Sequence, residues 1–203
     1  MRLAVLASGR GSNLEAIMES VEIGKLRAEI VSVVSDNADA KALEKAQSRG
    51  IATTVISTRN FRTRQDYDDA LAKVIEDAGV DYVVLAGFMR ILGNGFVRRF
   101  RNRIINIHPS LLPAFPGVNA QAQALDYGVK VSGCTVHFVD EGMDTGPVIA
   151  QTAVPVYEDD TADSLSQRIL VQEHKLLPRV LQMLSEGRVE VSQRKVSIKQ
   201  EES

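Results

Sequence analysis

Short apolar runs rich in β-branched residues alternate along the chain with segments whose apolar positions recur at helical spacing. The first pattern predicts strands over 3–7, 29–34, 53–56, 82–85 and 104–108, and the second predicts helices over 14–20, 40–49 and 64–78. The third helix has the clearest ends, because Thr63, Arg64, Gln65 and Asp66 have capping-box spacing and Gly79 supplies a stop. Nearly continuous apolar strands such as 31–34 and 82–85 suit a parallel sheet covered on both faces by its crossover helices. The first hundred residues are therefore expected to be doubly wound.

The pattern changes after His108. A Pro- and Gly-rich stretch over 109–117 precedes a short helix near 120–127, then longer strands over 131–140 and 148–156 and a long helix over about 162–185. Residues 188–203 are charged and weakly patterned, which predicts a short strand or a frayed tail, and no function is read there. No internal repeat or interdomain linker is visible. The expected architecture is a single α/β domain over 1–190, with a doubly wound, mostly parallel sheet, helices on both faces and a tail over 191–203.

At 203 residues and 44% hydrophobic content, the chain is long enough to bury one proper core. Its formal charge is only −2 and it has no Lys/Arg run, so the footprint of a nucleic-acid binder is missing and a small ligand is expected. A single cysteine, Cys134, no signal-peptide pattern and no apolar stretch of about 18 residues point to a cytoplasmic protein outside any membrane.

Ser8-Gly9-Arg10-Gly11-Ser12-Asn13 lies between the first predicted strand and helix, where backbone N–H groups can turn toward an anion and the helix N-terminus adds partial positive charge. Leu14 stands where a dinucleotide fingerprint needs its third glycine, and no Gly-Lys-Ser/Thr follows, so a single phosphate fits better than a pyrophosphate. A plain strand-to-helix turn capped by Ser12 or Asn13 explains the loop equally well.

Asn106 and His108 interrupt a strand that otherwise reads as sheet core. At i and i+2 they share one face, and Pro109 places them at the strand's C-terminal end, where ligands of open α/β sheets bind. A hydrogen-bond donor beside a near-neutral acid/base suits work on a carbonyl; a satisfied pair that merely ties down the next loop is the plainer alternative. Asp140, Glu141 and Asp144 surround Gly142 and Gly146 between two later strands, and a carboxylate there could hold the imidazole. His137 and His174 lack such a setting and are read as structural or surface residues. No metal-ligand spacing occurs, and neither a nucleophile elbow nor a base adjacent to Cys134 is present.

Gly9-Arg10-Gly11-Ser12-Asn13, Gly87-Phe88-Met89-Arg90-Ile91-Leu92, Asn106-Ile107-His108-Pro109-Ser110-Leu111-Leu112-Pro113 and Gly133-Cys134-Thr135-Val136 through Asp144-Thr145-Gly146-Pro147 together closely resemble the folate-dependent phosphoribosylglycinamide formyltransferase family, over nearly the whole chain. The resemblance implies a formyltransferase fold with a Rossmann-like N-terminal half, in which 1–100 binds the ribonucleotide and 101–190 carries catalysis and folate. It implies transfer of the formyl group of 10-formyltetrahydrofolate, as co-substrate and without a metal, to the amine of glycinamide ribonucleotide in purine synthesis. By the same resemblance Asn106 binds the formyl oxygen, His108 is the acid/base and Asp144 orients it, with direct attack and no acyl-enzyme. Gly11, Ser12 and Asn13 hold the ribonucleotide phosphate, and Leu170, Val171, Gln172 and Glu173 contact the rest of that substrate. Arg64, Met89, Arg90, Ile91 and Leu92 contact the folate, joined by Asn106 and by Asp140, Glu141, Gly142, Met143 and Asp144.

One departure from the family is Asn119, where members often have histidine; it bears on lid contacts. A methionyl-tRNA formyltransferase would be expected to add a C-terminal domain and a basic surface. A formyltetrahydrofolate deformylase would show His in place of Pro109 and an N-terminal regulatory domain. A nucleotide-binding oxidoreductase would explain the first strand-loop-helix, with Asp36 on a ribose, but neither Leu14 nor the Asn106/His108 pair. The expected partners are the two small substrates, with no nucleic acid and no membrane, and the protein is expected to act as a monomer or a homodimer.

Overall fold

Alternation along the first strand builds two cores at once. In the computed structural model, which describes residues 1–200, Leu3, Val5 and Ala7 enter one hydrophobic cluster while Ala4 and Leu6 enter another on the opposite face of the sheet. The elements run β1 (Arg2–Leu6), α1 (Ser12–Glu22), β2 (Glu29–Ser35), α2 (Lys41–Gln47), β3 (Thr53–Val55), α3 (Arg64–Asp77), β4 (Tyr82–Leu85), α4 (Asn94–Arg99), β5 (Ile104–His108), α5 (Ala120–Tyr127), β6 (Val131–Phe138), β7 (Val148–Pro155), α6 (Ala162–Ser185), β8 (Val189–Ser192) and β9 (Lys195–Ile198).

The seven-stranded sheet has the order β3-β2-β1-β4-β5-β6-β7. Its first five members pair in parallel, as their crossover helices require, and β6 and β7 are added antiparallel. Helices α1, α2 and α6 pack on one face around Leu14, Ile17, Leu43 and Leu177, while α3 and α4 cover the other through Leu71, Ile75, Phe96 and Val97. The fold is thus the expected mostly parallel, double-faced α/β sheet.

The expected capping box is present, with the Thr63 side chain accepting from Asp66 N and the Asp66 carboxylate accepting from Thr63 N. A second box, Thr161 with Ser164, opens α6. The short helix α4 was not anticipated, and of the two readings for 188–203, short strand or frayed tail, the described part follows the strand. Residues 189–192 and 195–198 form an antiparallel hairpin whose Val189, Val191 and Val196 pack on the main core, so a boundary at 190/191 cuts through a structured unit. The end of the proposed tail, 201–203, lies outside the described residues. Among the described residues, no helix is long and apolar enough to cross a membrane.

Pairing of β5 with β6 sets His137 opposite Asn106 and Thr135 opposite His108. The Thr135 hydroxyl donates to Ser110 O at 2.7 Å and accepts from Leu112 N at 3.0 Å, which fastens the loop after His108 to β6. Gly133 leaves the space this loop needs, since a Cβ there would collide with the Thr152 carbonyl and approach Leu111 Cδ2 within 2.8 Å. Gly133→Ala is therefore expected to lower unfolding free energy by about 1–3 kcal/mol and to reduce turnover by displacing the loop. Urea titration and an activity assay on the variant check both.

Candidate active site

The sheet geometry carries out what the spacing of Asn106 and His108 suggested. Ile105 and Ile107 point into the core beneath α6, so Asn106 and His108 leave the opposite face of β5 at its C-terminal end. Asp144 reaches them from the β6–β7 connection. Its Oδ2 lies 3.4 Å from His108 Nδ1 and accepts from Gly117 N at 2.8 Å, and its Oδ1 lies 3.5 Å from Asn106 Nδ2. Amide, imidazole and carboxylate are thus brought together.

The other two carboxylates of that connection are used elsewhere. Asp140 Oδ1 accepts from Gly142 N and from the Thr145 hydroxyl, which shapes the turn, and Glu141 pairs with Arg98 at 3.2 Å. Met143 is exposed and lies beside Gly117, so it belongs to the mouth of the site rather than to its floor.

His137, expected from the sequence to be structural or on the surface, is buried and belongs to this network. Its ring is 1% exposed, and Nδ1 must donate to the Phe138 carbonyl at 2.9 Å, because a carbonyl only accepts. Nε2 is then an acceptor and takes a hydrogen bond from Asn106 Nδ2 at 3.2 Å. Burial holds the ring below the ordinary imidazole pKa despite the nearby charge of Asp144. The 3.7 Å separation of Nε2 from Asp144 Oδ1 is accordingly no ion pair; the Asn106 amide donates toward both atoms. The available signal was the one used for His108, a polar ring in an apolar strand, but only strand pairing reveals its partner. His174 is half-buried on α6 and remote from the site in contacts, in line with a structural role.

His108 itself is closed off by the Pro-rich loop. Its Nε2 donates to the Phe115 carbonyl at 2.8 Å, and a proton on Nδ1 would make the ring a donor to both neighbours. Gln123 Nε2 braces the same loop through the Pro116 and Val118 carbonyls. Asn119 sits at the N-terminal edge of α5 with φ 57, a conformation that asparagine tolerates better than most residues.

The glycine loop is not capped by Ser12 or Asn13. Gly11, at φ 68, occupies the cap position with no side-chain hydrogen bond, which leaves the first-turn N–H groups of α1 without a side-chain acceptor. The loop's tight contact is here too, because a Cβ on Gly11 would lie 2.8 Å from Ala42 Cα. Leu14 is fully buried in the core. Asn13 Nδ2 donates to Glu173 Oε2 at 2.8 Å and its Oδ1 has no partner, so two elements meet at a buried polar pair. Burial raises the Glu173 pKa, opposed by the Asn13 donor. Leu170 and Gln172 are half-buried on the same stretch of α6, whereas Val171 lies roughly 200° around the helix from Glu173 and faces outward.

The 87–93 segment follows β4, the neighbour of β5, and is fastened from four sides. Ser8 Oγ accepts from Met89 N at 2.9 Å, Asp36 pairs with Arg90, Arg64 donates to the Ile91 carbonyl at 2.6 Å, and Asp68 accepts from Gly93 N at 3.0 Å. Arg64 is therefore engaged in bracing this segment. Met89 and Ile91 are exposed at 75% and 67%, while the Leu92 side chain turns into the second core.

No group of three or more His, Cys, Asp or Glu residues among those described is arranged to hold a metal. Burial pushes the Cys134 thiol up to about 12, which leaves it protonated and unsuited to nucleophilic attack.

Residues 1–181 match the formyl transferase family. The chain is 49% identical over 193 residues to a trifunctional purine biosynthetic protein adenosine-3 of Drosophila melanogaster, covering 94% of this chain but only 14% of that protein. It is 43% identical over 191 residues to the phosphoribosylglycinamide formyltransferase of Escherichia coli K12, covering 94% of this chain and 90% of that one. Among solved structures, a glycinamide ribonucleotide transformylase of Symbiobacterium toebii superposes with a TM-score of 0.96 at 47% identity, covering 98% of this chain and 93% of that one.

Histidine NMR is expected to show His137 as the Nδ1–H tautomer, with a titration midpoint below the ordinary value of about 6.5. As pH falls through that value the unfolded chain takes up the proton first, so this ring's contribution to stability declines until the folded form is protonated too. A midpoint above the ordinary value would contradict the assigned tautomer and hydrogen bond.

Proposed function

The chain belongs to the formyl transferase family, and we propose that it transfers the formyl group of 10-formyltetrahydrofolate to the amine of glycinamide ribonucleotide, a step of purine biosynthesis in the cytoplasm. The observation that carries this reading is the meeting of Asn106, His108 and Asp144 within 3.5 Å contacts at the C-terminal edge of the sheet. A second supports the acceptor. The uncapped α1 N-terminus follows β1, which is two strands from β5, or roughly 10 Å across the sheet, a span suited to a ribonucleotide with its phosphate on the glycine loop and its amine at His108.

In this reading Gly11, Ser12 and Asn13 take the phosphate, and Glu173, with Leu170 and Gln172, takes the ribose side. The folate lies along the 89–92 segment and the 140–144 connection, with Arg64 and Arg90 as its cations. The amine attacks the formyl carbon, the new C–N bond forms, and negative charge develops on the formyl oxygen. Asn106 donates the hydrogen that now points weakly toward Asp144 to that oxygen, while its bond to His137 keeps the amide from turning. Collapse breaks the bond to N10, and the proton lost by the amine passes through His108, held by Asp144, to the departing nitrogen. For that exchange the Phe115 carbonyl must leave His108 Nε2, so the loop has to shift when substrates bind.

Purified protein given both substrates is expected to form formylated ribonucleotide. His108→Ala and Asp144→Asn should each lower kcat by about 10²–10⁴-fold with folding intact by circular dichroism, and near-normal turnover would reject the assigned roles. Release of formate without the ribonucleotide acceptor would instead identify a deformylase. Glu173→Gln should raise KM for the ribonucleotide and leave KM for the folate unchanged.

A further inference from the structure

Asp36 is the residue that follows β2 at the same edge of the sheet, and it does not stand free for a ribose. Its side chain is only 6% exposed and receives Arg90 Nε at 2.7 Å. A buried carboxylate is costly unless it is paired, so the contact constrains both residues. Among the described residues, Oδ1 of Asp36 has no partner, and neither does the buried Tyr67 hydroxyl. Burial pushes Tyr67 up to about 12, with the Asp36 charge adding to the shift, which makes the two neighbours.

The way Arg90 is held matters more than the fact that it is held. Asp36 takes the guanidinium through Nε alone, and the half-exposed side chain makes no other hydrogen bond among the described residues. Both Nη groups are thereby kept as an open fork, the geometry that receives a carboxylate in two parallel hydrogen bonds. Met89 and Ile91 flank the fork as exposed apolar side chains, a combination suited to an aromatic body ending in an acid.

We propose that Asp36 is a positioning residue that aims the Arg90 fork at a carboxylate of the formyl donor. The inference rests on the reading of 10-formyltetrahydrofolate as that donor. A mere tether between two loops would affect stability without selecting one substrate. A positioning role acts through Arg90 and on one KM.

The test is steady-state kinetics of wild type, Asp36→Ala, Arg90→Ala and the double variant with both substrates, alongside melting temperatures. Asp36→Ala should raise KM for 10-formyltetrahydrofolate by about three- to tenfold, leaving kcat and KM for the ribonucleotide within about twofold. The double variant should be no worse than Arg90→Ala, since one effect runs through the other. Asp36→Asn, which keeps an oxygen for Nε, should restore most of the affinity. An unmoved folate KM, additive effects, or a loss confined to kcat would overturn the proposal. Asp36→Ser replaces Asp36→Ala if the latter does not fold, and failure of both to fold would make Asp36 a folding residue and overturn it as well. An inactive wild type would sink the functional reading instead.

Discussion

A carboxylate withdrawn from water must be surrounded by donors, and at Asp144 that requirement organises the site. One oxygen receives Gly117 N–H and faces His108, and the other faces the Asn106 amide. These donors come from the loop after β5 and from β5 itself, and His137 on β6 accepts from the Asn106 amide and so fixes its orientation, which ties the placement of three segments to a single charge. Removing any one donor leaves the carboxylate less satisfied, and desolvation penalties of this kind amount to about 1–3 kcal/mol. The arrangement is held by the protein's own groups, the kind of preorganisation that favours electrostatic stabilisation of developing charge.

The parts of the fold legible in the sequence are those with a strong period. The β1–β5 runs and the α3 capping box follow from local chemistry, and their observed ends fall within a few residues of expectation. Helix α4 escaped because six residues with two buried side chains present too little of a helical period. The β8–β9 hairpin was legible only as a short strand or a tail, because its charged outer face hides the alternation of Val189, Val191 and Val196. At the site, the shared face of Asn106 and His108 was readable from strand parity alone. The choice of Asp144 over Asp140 and Glu141 came from family resemblance; in the structure Asp140 is engaged by Thr145 and Glu141 by Arg98, and Asp144 is the one that faces His108. His137 and the Phe115 carbonyl were not readable: one depends on strand register, and the other is a backbone group that no residue type announces.

The glycine loop and the 87–93 segment are not independent. Ser8, which precedes the glycine loop, gives its N–H to Gly87 O at 3.1 Å and accepts from Met89 N through its hydroxyl. A displacement of the 87–93 segment therefore moves the start of the glycine loop. The braces from Arg64 and Asp68 extend this linkage to α3 on the far face of the sheet. Placement of the reacting groups to a fraction of an ångström is worth more to a direct acyl transfer than any single reactive side chain, and such cross-bracing is what provides it.

Backbone strain is gathered in the same place. Phe115, Asn119 and Asp144 all have φ between 53 and 57, a region that costs a non-glycine residue of order 1 kcal/mol or more each. Phe115 has no short polar side chain to ease that conformation, so its carbonyl contact with His108 and the Gly117 contact with Asp144 must help to hold it. A loop held in a strained form by His108 and Asp144 has two outlets. A substrate that takes over those hydrogen bonds releases the strain as it binds, and opening is easier than the count of contacts alone implies. The loop thus satisfies the buried His108 and the half-buried Asp144 through its own backbone, at a strain that favours exchanging those contacts for others.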